Sequence, residues 1–163
     1  MKTGLRIAAC AAFLAAGLAT APGAVRAMGS IDTPSASSAS KDSRMVDAEK
    51  AVQAKDWNKA VGLLSRVVAD SPKNADAYNY LGYSYRKLGH PNEALAYYNH
   101  ALSLDPNHRG ALEYLGELYL DMSDLPKAEE QLTKLARVCG PRCNEYQELQ
   151  GEIAKFKSGQ PRS

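Results

Sequence analysis

The chain has 163 residues, 45% of them hydrophobic, with 20 Lys and Arg against 18 Asp and Glu. That length suits one folded domain with short appendages. The near balance of charge implies no strongly basic surface of the kind that binds nucleic acid.

At the N-terminus Lys2 and Arg6 precede an apolar run over 7–21, which Pro22 and Gly23 break. Val25 and Ala27 then supply small residues at −3 and −1 of a cleavage site. This pattern predicts a secretory signal peptide over 1–27, cut after Ala27, and hence a periplasmic or secreted protein. The run falls short of the ~20 apolar residues of a membrane helix, so no integral membrane segment is expected after cleavage. Ile7-Ala8-Ala9-Cys10 resembles a lipobox, but most of the apolar run lies after Cys10, which argues against a lipoprotein. Cleavage would remove Lys2, Arg6 and Arg26 and no acid, leaving 17 basic against 18 acidic residues. Nucleic acid is therefore not an expected partner.

Residues 28–42 are small and polar and bury too little to order themselves, so a flexible tether is expected there. From 43 to 157 the pattern predicts one all-α domain of seven helices, followed by a flexible tail over 158–163. Residues 75–108 and 109–142 are two copies of one 34-residue unit, in which Leu81-Gly82, Tyr85 and Ala94 are matched by Leu115-Gly116, Tyr119 and Ala128. Within the unit, positions 4, 7, 8 and 11 share one helix face, and 20, 24 and 27 share a face of a second helix. Gly or Ala at 8 and 20 lets two antiparallel helices cross closely. An earlier copy at 41–74 keeps its second helix (Ala60, Leu64, Val67, Pro72) but carries Arg44, Asp47 and Ala48 at 4, 7 and 8. Beyond 142 the phase continues through Tyr146, Leu149 and Ile153, a capping helix over 143–157 that covers the last apolar face.

With Tyr78, Leu81-Gly82, Tyr85, Ala94, Tyr98, Ala101 and Pro106 in these places, residues 75–108 resemble the tetratricopeptide repeat at every position of its pattern. Residues 109–142 depart from it at Leu135 and at Gly140, which precedes Pro141. The resemblance implies a right-handed superhelical stack of three helix-turn-helix repeats plus the cap. It also implies that positions 2, 5, 9, 12 and 13 of each first helix line a concave groove.

Those positions place Asn79, Tyr83, Arg86 and Lys87 on one stripe and Glu113, Glu117 and Asp121 on the next. Tyr and Arg are enriched at energetic hot spots, which singles out Tyr83 and Arg86 for a protein or peptide partner. The competing reading is that Arg86 and Lys87 pair with Glu113, Glu117 or Asp121 and fill the groove. Some family members hold a partner's C-terminal carboxylate in a Lys/Asn/Arg clamp. The corresponding places hold Met45, Glu49, Tyr80, Gly110 and Tyr114, so that ligand is not implied. The remaining aromatics fall mostly at core positions. His90, His100 and His108 read as solvated side chains.

After cleavage Cys139 and Cys143 remain, flanking Gly140-Pro141-Arg142. An exported chain favours a disulfide between them that pins the cap. A thiol or soft-metal role is the alternative, in the manner of repeat adaptors of cytochrome c-type maturation. No metal motif, phosphate loop or nucleophile–base pair is present, so no cofactor, metal or catalysis is expected. The leading expectation is a non-catalytic interaction scaffold.

Overall fold

The structure, a computed structural model, describes residues 36–161. Seven helices make up the described residues: α1 Ala36–Gln53, α2 Trp57–Asp70, α3 Ala75–Lys87, α4 Pro91–Leu104, α5 Arg109–Asp121, α6 Leu125–Val138 and α7 Asn144–Ser158. The expected signal peptide and most of the expected tether lie outside these residues. Helix α1 begins at Ala36, inside the segment 28–42 read above as a tether, and this corrects that boundary. Once a helix is anchored by packing, each added residue gains a hydrogen bond, and Ala36 and Ala39 have high helix propensity.

The helix starts follow from local chemistry. Asp56, Asn74 and Asp124 accept hydrogen bonds from the backbone N–H of Lys59, Ala77 and Lys127 at 3.2, 3.0 and 3.2 Å. Pro91 and Pro126 sit in first turns, where a missing N–H costs nothing. His108 is a cap rather than a solvated side chain. Its Nδ1 accepts from Ala111 N–H at 3.1 Å, and its Nε2 lies 3.0 Å from Asp76.

The first repeat, worn in sequence, is intact in backbone. Lys55, Gly89 and Ser123 occupy the same place in the three repeats and have φ of 57°, 81° and 61°. In each turn the next N–H bonds back to an equivalent carbonyl: Asp56 to Ala51, His90 to Tyr85 and Asp124 to Tyr119. Only Gly89 adopts this left-handed conformation without steric cost.

Helices pair as α1–α2, α3–α4 and α5–α6, while α7 packs on both α5 and α6. The core runs from Ala48, Leu64 and Leu81, through Ala94, Tyr98 and Leu115, to Leu112, Leu135, Leu149 and Ile153. Ala48, Ala94 and Ala128 are fully buried, as the small-residue positions require. A Cβ on Gly82 would lie 2.6 Å from the Tyr98 ring, and one on Gly116 would lie 2.5 Å from Leu149. The two glycines therefore set how closely α3 approaches α4 and α5 approaches α7. Leu120, which falls at groove position 12 of its unit, is instead fully buried beneath the cap.

Gly62 tests the same argument in reverse, because a Cβ there meets nothing within 4 Å. Gly82→Ala is expected to lose about 1–2 kcal/mol, overpacking outweighing the helix-propensity gain. Gly62→Ala is expected to gain about 0.5–1 kcal/mol. Urea unfolding midpoints of the two variants should move in opposite directions.

Candidate binding groove

The first helices of successive repeats, α1, α3 and α5, pack in sequence and are continued by α7. Tyr83 is half-buried on the face of α3 that they form. Its ring centroid lies 5.7 Å from Trp57, at the start of α2, and 4.8 Å from Tyr114 on α5. Tyr114 lies 6.4 Å from Tyr98, so four rings run from the core out to the groove. Trp57, Tyr83 and Tyr114 wall a cavity of about 460 Å³ that also touches Lys55, Lys87, Glu113, Glu117 and Glu148. Burial, then the nearby Glu117 and Glu113 charges, raise the Tyr83 pKa, and burial followed by Glu113 raises that of Tyr114. Both phenols stay neutral.

Arg86 does not face the open groove. Its side chain is 9% exposed, Nη1 bonds Glu117, and Nε bonds Asp121 at 2.6 Å. Burial opposes its charge, but the hydrogen bond to Asp121 and the two carboxylates outweigh burial and raise its pKa. Arg86, Glu117 and Asp121 thus form a charge-assisted link between the second and third repeats, as the internal-pairing reading has it. Asn79 is 5% exposed, and its Oδ1 has no hydrogen-bond partner among the described residues. A Cβ on Gly110 would lie 3.2 Å from the Asn79 amide, so the start of α5 covers this place in the groove stripe.

Glu113 is 3% exposed. Burial, then the hydrogen bond and charge of Glu148, with Glu117 and Glu145 beyond, push its pKa up to about 9. It is protonated at neutral pH. Lys87 is exposed at the rim, with Nζ 5.5 Å from the Tyr83 ring centroid. Of the seven side chains predicted for the groove, Tyr83 and Lys87 face its open part. Glu117 touches the cavity while bonded to Arg86. Trp57, Lys55 and Glu148 were not among the predicted residues. Trp57 follows the N-cap of α2 at a place where the repeat has no core position, so periodicity carries no signal for it.

Cys139 and Cys143 are joined as a disulfide across the α6–α7 turn, with Cα atoms 5.9 Å apart. A Glu145 carboxylate oxygen and the two Sγ atoms lie within 4.8 Å of one another. Among the described residues no helix is long and apolar enough to cross a membrane.

Residues 75–108 match the tetratricopeptide repeat family. A stretch of 61 residues is 38% identical to the uncharacterized protein ycf37 of Pyropia yezoensis, covering 37% of this chain and 34% of that protein. The chain therefore spans about a third of the length of that relative. The fold is similar to the TPR2B domain of yeast Sti1 in its complex with pHsp70, with TM-score 0.65 and 22% identity over 74% of this chain and 98% of that one. It is also similar to the Yersinia enterocolitica type III secretion chaperone SycD, in complex with a peptide of the translocator YopD. That match has TM-score 0.64 and 15% identity over 74% and 92% of the two chains. At these identities the solved structures speak for the fold, an all-α superhelical stack.

The Glu113 carboxyl binds a proton more tightly folded than unfolded. Between its ordinary value of 4.5 and about 9 the native state therefore holds the extra proton, and stability falls as pH rises through that window. Glu113→Gln, which imitates the protonated acid, is expected to flatten this slope and to be more stable than the native protein at pH 8. Denaturant titrations at pH 5 and pH 8 check both outcomes.

Proposed function

We propose that this tetratricopeptide-repeat protein is an exported, non-catalytic binding module that holds a partner protein or peptide against Trp57, Tyr83 and Tyr114. The observation that carries the reading is the cavity of about 460 Å³ walled by these three rings on the face built by the first helices. Rigid aromatic side chains give large contact area at low entropic cost, and a partly enclosed site excludes water around them. The Sti1 and SycD structures, each described as a complex, support a binding role for this fold. Export rests on Lys2, Arg6, the apolar run and the Val25-Arg26-Ala27 site.

The paired Arg86, Glu117 and Asp121 serve this reading as scaffold. They fix the third repeat against the second and so hold Tyr114 opposite Tyr83.

A second reading, soft-metal or thiol handling, rests on the Cys139, Cys143 and Glu145 cluster and requires the disulfide to open. The bridge favours the structural role, and closing so short a loop contributes about 2 kcal/mol in the chain-entropy model. Cys139→Ser with Cys143→Ser is accordingly expected to lower the unfolding free energy by about that amount. Copper(I) titration of the reduced native protein should show no binding beyond that of this variant. Stoichiometric binding lost in the variant would favour the metal reading instead.

For the groove, the tagged full chain is expected in the periplasmic fraction or the medium and should recover its partner there after crosslinking. Trp57→Ala with Tyr83→Ala should cut that recovery at least tenfold while far-UV circular dichroism stays native. Undiminished recovery would remove the groove assignment. Retention of the tagged chain in the cytoplasm would remove export.

A further inference from the structure

Of the three carboxyl groups that line the groove cavity, only Glu117 is paired with a cation of the described residues. Arg86 is committed to Glu117 and Asp121. Among the described residues neither Glu113 nor Glu148 takes part in an ion pair, although they adjoin each other across α5 and α7 with Glu117 and Glu145 nearby. A carboxyl as buried as Glu113 must be neutral, or face a cation. In the unliganded protein the proton fills that role.

The rest of the cavity suits a larger cation. Trp57, Tyr83 and Tyr114 present rings to the same space, and ring faces attract ammonium and guanidinium groups. Lys87 already uses one of them, with its Nζ 5.5 Å from the Tyr83 centroid. Lys55 and Lys87 stand among the lining residues, so a cation gains most by reaching past them to the carboxyls. A long side chain with an apolar stem does this, its stem lying against the rings and its head at the acids.

We propose that the cavity between Trp57, Tyr83 and Tyr114 receives a lysine or arginine side chain of the bound partner, with Glu113 and Glu148 at its charged end. This rests on the groove reading above and gives it a chemistry, opposite in sign to a carboxylate clamp. Entry of the cation expels the Glu113 proton. The charged and titratable groups that face Glu113 are Glu117 on its own helix, Glu145 and Glu148 on α7, and Tyr83 on α3, with Tyr114, Lys55 and Lys87 sharing the cavity. Occupancy by a cation therefore strengthens as pH rises from 6 toward 9.

Trp57 is the single tryptophan of the chain, so its fluorescence reports on the cavity. The probes are capped nine-residue Ser/Ala peptides with one central lysine, acetyl-lysine or glutamate, together with n-butylammonium as a free amine. The lysine peptide is expected to perturb Trp57 saturably and about tenfold more tightly than the acetyl-lysine peptide or n-butylammonium. Its affinity should rise severalfold from pH 6 to pH 8.5. Glu113→Gln, with native far-UV circular dichroism, should bind it at least fivefold more weakly and lose the pH dependence.

Equal binding of the acetyl-lysine or glutamate peptide, equal binding of the free amine, unchanged affinity in Glu113→Gln, or silence of every probe would overturn the proposal. If the Trp57/Tyr83 variant still loses the natural partner while the lysine peptide is silent, the cation assignment fails and the groove reading stands. If that variant recovers its partner normally, the groove reading itself fails.

Discussion

At Gly82 the backbone of α3 lies so close to the Tyr98 ring that even a methyl group would come within 2.6 Å of it. Much of the groove depends on this approach. It lets a fully buried Tyr98 fill the space between α3 and α4. The Tyr98 ring in turn neighbours Tyr114, Tyr114 neighbours Tyr83, and Tyr83 neighbours Trp57. A core packing constraint is thus passed outward, ring by ring, to the wall of the groove. Gly116 against Leu149 repeats the device at the cap and brings α7, with Glu148, to the same cavity.

Electrostatics completes what packing begins. The two groove stripes carry opposite charge, and most of that charge is used within the fold. Arg86 holds Glu117 and Asp121 across the repeat boundary, which both orders the stack and removes the strongest cation from the binding surface. The carboxyl left over, Glu113, is buried against Glu148 and stays protonated. The site is therefore aromatic first, with a latent acidity that a partner's cation would reveal.

The 34-residue period made the repeats, their glycines and the cap legible, because those features depend on spacing along the chain. Even the worn first repeat declares itself in the shared φ of Lys55, Gly89 and Ser123. The groove was less legible. Asn79 and Glu113 follow the groove spacing, yet each is buried where the next helix crosses it, α5 over Asn79 and α7 near Glu113. Trp57 belongs to a second helix and meets the groove at the start of α2, just after the turn at Lys55, where its ring lies 5.7 Å from Tyr83. No pattern along the chain encodes that meeting. Helix α1 likewise runs further toward the N-terminus than a Ser-rich composition suggests, since each residue added to a formed helix gains a hydrogen bond.

On the proposed reading, partners dock on the ring-lined face and not on the exposed outer faces of α2 and α4. Site-specific photocrosslinking in cells tests it directly, with p-benzoylphenylalanine placed at Trp57 or Tyr114 and, for comparison, at the exposed Ser65 and Asn99 of α2 and α4. Discrete adducts from the first pair and none from the second are the predicted result. Adducts confined to Ser65 and Asn99 would contradict it.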